Sequence, residues 1–193
     1  MVGRIMTLSF GESLPEGEQE ALQSSPRWYA CYTRARHEKR VDEQLVGRGM
    51  ETYLPALARE RQWSDRRKVV EFPLFPGYVF ARFSLSALHE VLSVPGVATV
   101  IRHNGVPSPI MDEELENVRR FVAALRETGQ FPEPRPLQPG QPVRVLHGPF
   151  QGVEGVVVER RGRRRVLIGL KTIGQGMEID IDGRNLEPKR LSA

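Results

Sequence analysis

The chain has 193 residues, and its 28 Lys and Arg against 24 Asp and Glu leave a formal charge of +4. Its 39% hydrophobic content is low for one large core, and its length accommodates two small domains. The single cysteine, Cys31, excludes an internal disulfide framework; no apolar run reaches the ~20 residues of a membrane helix, and the first ten residues lack the apolar core of a secretory signal. A protein of the cytoplasm, with no membrane association, is the expectation.

Residues 1–26 are rich in acids, Gly and Ser and read as a tail. Trp28-Tyr29-Ala30-Cys31-Tyr32-Thr33 has the aromatic and β-branched content of a strand. Val41, Leu45 and Val46 recur at helical spacing over residues 37–46, and Gly47 and Gly49 end that helix. Residues 52–54 form a short strand stopped by Pro55. Residues 57–72 read as a polar, projecting hairpin with arms at 57–63 and 68–72 and its tip at 64–67.

Pro73-Leu74-Phe75-Pro76-Gly77-Tyr78-Val79-Phe80 then leads into a strand ending at Phe83. Tyr78, Phe80 and Arg82 share one face of that strand, and Val79, Ala81 and Phe83 the other. Residues 84–92 are helical in pattern, with Ser84 or Ser86 as N-cap. A strand at 97–101 follows the Pro95-Gly96 turn. Asp112 is placed as the cap of a helix running to Arg126, with Leu115, Val118, Phe121, Val122 and Leu125 as its apolar stripe. Residues 127–139 carry Pro132, Pro134, Pro136 and Pro139 and read as a linker. Beyond it, β-rich runs at 143–146, 153–159, 165–171 and 177–181, punctuated by glycine, indicate a small barrel. The architecture expected is an α+β domain at 27–126, an antiparallel sheet flanked by helices, followed by a small all-β SH3-like barrel at 140–193.

Charge is concentrated in both units. Residues 27–100 hold 12 bases and 8 acids, and residues 140–193 hold 10 and 6, the latter including the run from Arg160 to Arg165. Such blocks are candidates for nucleic-acid contact, although mixed-sign surfaces are also ordinary. Nucleophile elbows, phosphate loops, dinucleotide fingerprints and metal-ligand spacings are lacking, since His37, His89, His103 and His147 lie far apart. The carboxylate pairs Glu113-Glu114 and Asp180/Asp182 read as a helix's opening turn and an exposed strand face. Binding without a cofactor or metal, rather than catalysis, is the class that remains. Phe75, Tyr78 and Phe80, joined by Tyr32, suit an exposed aromatic pocket for a helical partner; the pattern fits core aromatics equally well.

The segment from Gly140 to Val158, Gly-Gln-Pro-Val-Arg-Val-Leu-His-Gly-Pro-Phe-Gln-Gly-Val-Glu-Gly-Val-Val-Val, resembles the KOW motif of NusG-type factors and some ribosomal proteins. With Trp28-Tyr29, Phe75-Pro76-Gly77-Tyr78 and Val94-Pro95-Gly96-Val97 ahead of it, residues 27–187 resemble the NusG/Spt5 family: an NGN domain, a linker and a KOW domain. The Pro-Leu-Phe-Pro-Gly-Tyr-Val-Phe form is similar to the specialised RfaH-like and UpxY-like members.

That resemblance implies a monomeric transcription elongation or antitermination factor. Its NGN domain would grip the β′ clamp helices of RNA polymerase through Tyr32, Phe75, Tyr78 and Phe80. His89 falls where RfaH-like members face the β-subunit gate loop, though Glu90-Val91 follow it here in place of hydroxyl residues. Arg34, Arg36, His37, Lys39 and Arg40 match a surface for the non-template DNA strand. Thr172, Ile173 and Gly174 match the KOW loop that meets the ribosomal protein NusE or Rho, with Ile173 where a Phe is common. The alternative function is a KOW-containing RNA-binding or translation-associated protein, with the barrel as its working part.

Overall fold

The computed structural model describes residues 24–62, 67–136, 140–160 and 163–189. The tail expected over 1–26, the tip of the 57–72 hairpin and the centre of the 160–165 basic run lie largely or wholly outside them.

The first unit is built on β1 (Arg27–Thr33), which pairs antiparallel with β5 (Tyr78–Phe83) on one side. On its other side it meets β6 (Val97–Val100) and β9 (Pro109–Ile110). β2 (Glu51–Tyr53) completes the sheet beyond β5. Alternation along β1 and β5 gives two apolar faces. Tyr29, Cys31, Val79, Ala81 and Phe83 pack on Val41 and Leu45 of α1 (Glu38–Gly47) and on Val91 of α2 (Leu88–Leu92). Burial pushes the Cys31 thiol up to about 12, so it is a packed, unreactive side chain. Trp28, Ala30 and Phe80 join the cluster of α3 (Asp112–Thr128), to which Leu115, Val118, Phe121, Val122 and Leu125 all contribute.

Asp112 is not the cap but the first residue of α3; Met111 precedes it in extended conformation, and the helix ends at left-handed Gly129. Ser84 does stand at the N-cap, of a single 3-10 turn (Leu85–Ala87) that precedes α2, but its hydroxyl makes no capping bond and lies 2.6 Å from that of Ser86. The polar hairpin is present as β3 (Ala56–Gln62) and β4 (Arg67–Pro73). β7 (Arg102–His103) and β8 (Val106–Pro107) form a second, minimal hairpin across Asn104-Gly105, both at positive φ.

The second unit is a six-stranded antiparallel sheet. It comprises β10 (Glu133–Pro136), β11 (Gln141–Val145), β12 (Glu154–Arg160), β13 (Arg163–Leu170), β14 (Gln175–Ile179) and β15 (Leu186–Pro188), in the order 10-14-13-12-11-15. Gly155 is where β12 lies tight against its antiparallel neighbour β13: a Cβ there would lie 2.7 Å from the Leu167 carbonyl oxygen. The stretch read as linker therefore contributes residues 133–136 to this sheet. Pro134 and Pro136 are accommodated because β10 is an edge strand, paired among the described residues with β14 alone.

The two units share α3. One side of the helix supplies the stripe under the sheet, while Glu114, Asn117 and Phe121, spaced three and four apart, meet the β-domain. Asn117 donates from Nδ2 to the Glu154 carbonyl and accepts the Glu154 N–H at Oδ1, each at 2.7 Å. The Lys171 N–H donates to Glu114 Oε1 at 2.7 Å, and the Phe121 and Phe150 rings lie 5.8 Å apart. The apolar cluster is continuous from Trp28 to Met177.

Candidate functional site

β1 and β5 are in register with Tyr32 opposite Tyr78 and Ala30 opposite Phe80. The tyrosine rings lie 5.3 Å apart at 55°, with Tyr32 44% exposed and Tyr78 half-buried. Phe75 and Phe80 meet edge-on at 5.9 Å, 1% and 0% exposed. The four aromatics thus form two ring pairs, linked through Tyr78, which packs against the cluster that holds both phenylalanines. Two tyrosines present ring surface, and two phenylalanines are buried in the α3 cluster. Burial, and then the neighbouring Tyr32, raise the Tyr78 phenol above its ordinary value of 10, so it remains a neutral hydrogen-bonding group at physiological pH.

The Pro76-Gly77 turn sets this arrangement. Gly77 has φ of +84°, and a Cβ there would lie 3.1 Å from Tyr32 Cε2; glycine supplies both the left-handed backbone and the room for the ring. Its carbonyl accepts the Thr33 N–H at 2.8 Å, and its own N–H donates to Glu38 Oε1 at 2.8 Å.

The cations lie immediately beyond Thr33. Arg34, Arg36, Lys39 and Arg40 are exposed and His37 is half-buried, its Nδ1 3.0 Å from the Ala35 carbonyl. Lys39 is ion-paired with Glu71 of β4, an exposed surface pair that partly offsets its charge. Arg34, Arg36 and Arg40 have no ion-pair partner among the described residues. His89 is exposed on α2, across the sheet from the tyrosines, so the structure does not join it to the aromatic surface.

Thr172 and Ile173 belong to a 3-10 turn closed by Gly174 in left-handed conformation. Ile173 is half-buried against the shared cluster, and the turn begins at the Lys171–Glu114 hydrogen bond. The candidate partner loop therefore faces α3. Among the neighbouring charges, Arg165 bonds Glu178 Oε1 at 3.1 Å and pairs with Asp180. Asp182 is held at about 2 by hydrogen bonds from the Arg184 side chain and backbone. The Asp180/Asp182 pair thus serves local ion pairing.

Sequence reasoning did not single out Asn117 or assign Glu114 to the β-domain. The available signal was their helical register with Phe121, one position off the stripe that faces the sheet. Between the units lies a cleft of about 580 Å³ lined by Trp28, Glu51, Arg119, Arg144 and Glu154, among others. Arg119 stacks over Trp28 and Tyr53 at 5.3 and 5.1 Å. Burial acts to raise the Glu154 carboxyl, but hydrogen bonds from Lys189 and Arg144 outweigh it and hold the group below its ordinary 4.5. Its stabilising contribution is complete above pH 4.5 and is lost as pH falls through the lowered folded value. Thermal melts at descending pH should therefore show an acid-dependent loss, reduced in Glu154→Gln by at most about 1 kcal/mol for such partly exposed pairs. An identical acid profile in the variant would remove Glu154 from the account.

The family model described as "Transcription termination factor nusG" matches residues 26–119. The transcription termination/antitermination protein NusG of Buchnera aphidicola subsp. Acyrthosiphon pisum is 30% identical over 178 residues, covering 83% of this chain and 95% of that protein. The Pseudomonas aeruginosa NusG is 29% identical over 175 residues, covering 83% and 97%. A solved structure of Thermotoga maritima NusG matches 86% of this chain and 98% of its own at 22% identity, with a TM-score of 0.47.

Proposed function

The chain belongs to the NusG family of transcription factors, and on that footing we propose that it is an elongation factor or antiterminator that docks on bacterial RNA polymerase through Tyr32 and Tyr78. The observation that carries this reading is the paired tyrosine surface, 44% exposed at Tyr32, with Tyr78 packed against the cluster that buries Phe75 and Phe80. Rings on a packed scaffold offer apolar area with little entropy left to lose, which suits the side of a partner helix such as the β′ clamp helices. Phe75 and Phe80 belong to that scaffold. Bridging the cleft holds the clamp closed and lowers the population of paused conformations. His89 is reserved for a separate gate-loop contact.

Arg34, Arg36 and Arg40, with His37 beside them, run along the non-template strand. Phosphates are tracked by the charges and unpaired bases by the guanidinium planes. The β-domain recruits a second partner, NusE or Rho, through Thr172, Ile173 and Gly174, once the Glu114–Lys171 bond opens. The Pro73–Phe80 sequence favours an operon-specific role over a general one.

The direct test titrates the intact chain onto core RNA polymerase and measures pause lifetimes on a defined template. Saturable binding with shortened pauses is expected; absence of binding would sink the proposal. Arg34→Ala with Arg40→Ala should weaken binding to a forked single-strand scaffold. Removing two phosphate contacts should also lower the slope of log affinity against log salt by about 1.4. A slope unchanged by the double substitution would rule out the DNA assignment.

A further inference from the structure

We infer that Glu38 is a positioning residue for the aromatic docking surface, an inference that rests on the reading of Tyr32 and Tyr78 as that surface. Glu38 sits inside the cationic run from Arg34 to Arg40 and opens α1. An exposed acid in a helix's first turn is explained by the helix dipole alone. Glu38 is different, because it is 8% exposed and its Oε1 accepts the Gly77 N–H at 2.8 Å, 39 residues along the chain. That bond ties the start of α1 to the turn on which Tyr32 rests.

The turn is held at three points. The Gly77 carbonyl takes the Thr33 N–H, the Tyr78 N–H donates to the Phe75 carbonyl at 3.1 Å, and the Gly77 N–H goes to Glu38. The first two are local to β1 and β5; only the third reaches the helix. Gly77 has no side chain of its own to fix it, and its Cα hydrogens face the Tyr32 ring at a distance where a methyl group would already press on Cε2. The position of the turn therefore sets the tilt of the Tyr32 ring over Tyr78. Without the carboxylate, the Gly77 N–H exchanges its protein partner for water, the turn relaxes, and the ring pair samples orientations that a partner helix must reorder on binding. The carboxylate that interrupts the arginine surface thus serves the neighbouring aromatic one, and the first turn of α1 underlies both.

The test uses the full chain with Glu38→Ala, Glu38→Gln and Tyr32→Ala. In the free protein, Gly77 amide exchange and the Tyr32 ring resonances should change in Glu38→Ala and return in Glu38→Gln, whose amide oxygen still accepts the bond. Binding to core RNA polymerase should weaken about tenfold in Glu38→Ala, the equivalent of about 1.4 kcal/mol, and recover in Glu38→Gln. Unchanged Gly77 exchange and Tyr32 resonances in Glu38→Ala would overturn the inference. So would altered exchange with polymerase affinity retained, provided Tyr32→Ala loses affinity. Undiminished binding in Tyr32→Ala would instead overturn the docking reading, while the Gly77 and Tyr32 signals still decide whether Glu38 sets the turn.

Discussion

Replacing Phe121 with alanine lowers the unfolding free energy by about 3–5 kcal/mol, the range for a large aromatic removed from a packed interior. Phe121 is 1% exposed, belongs to the cluster beneath the sheet, and faces the Phe150 ring of the β-domain. The cavity opens where the two units meet, so the loss reaches both. Asn117→Ala is the companion substitution. It leaves the sheet-facing stripe intact and removes both hydrogen bonds to Glu154, orphaning a backbone N–H and C=O at a cost of about 1–3 kcal/mol. Calorimetry should record one cooperative transition in the parent chain and an earlier, separate β-domain transition in Asn117→Ala. A Phe121→Ala protein within about 1 kcal/mol of the parent would show that the junction is not packed as described.

The second large effect concerns binding. Tyr32→Ala combined with Tyr78→Ala should weaken association with core RNA polymerase by at least about 100-fold, as expected when paired aromatic anchors of an interface are truncated. Tyr32 is the informative position, because its ring is exposed and its loss leaves the core unchanged. Phe75→Ala and Phe80→Ala carry a different meaning. Both side chains are buried, so their removal costs about 3–5 kcal/mol of folding free energy and abolishes binding by unfolding the surface. Tyr32→Phe keeps the ring and should bind within a few-fold of the parent. Parent-like affinity in the double alanine variant, with near-ultraviolet circular dichroism unchanged, would end the tyrosine docking reading.

The contrast between these aromatics marks the limit of what the sequence made legible. Period-two alternation placed Tyr78 and Phe80 on one face of β5, and the structure agrees. It carried no information on what covers that face. The cover is α3, more than thirty residues further on; it lies over Phe80 and leaves Tyr32 open. The α3 stripe was legible because Leu115, Val118, Phe121, Val122 and Leu125 repeat at helical spacing, and β1 because its aromatic and β-branched residues run unbroken. Lys39 looked like one more cation until the fold brought Glu71 beside it. β10 was hidden by Pro134 and Pro136, which normally argue against a strand and are tolerated only at an edge, a position that sequence does not reveal. Asn117 is a poor helix former in mid-helix, and its reason lies in a strand 37 residues away.

The pairing of β10 also fixes how far the two units can part. Only residues 129–132 separate the end of α3 from the start of β10, and four residues span at most about 14 Å when fully drawn out. While β10 stays on β14 the β-domain is on a short leash, able to tilt from α3 but not to leave its vicinity. Stripping β10, including the contacts of Arg135 with Glu133 and Glu178, lengthens the tether to at least residues 129–136 and the span to about 28 Å. Reach therefore comes in two settings rather than a continuum, and a target beyond the shorter one is met only by a β-domain that has given up its edge strand.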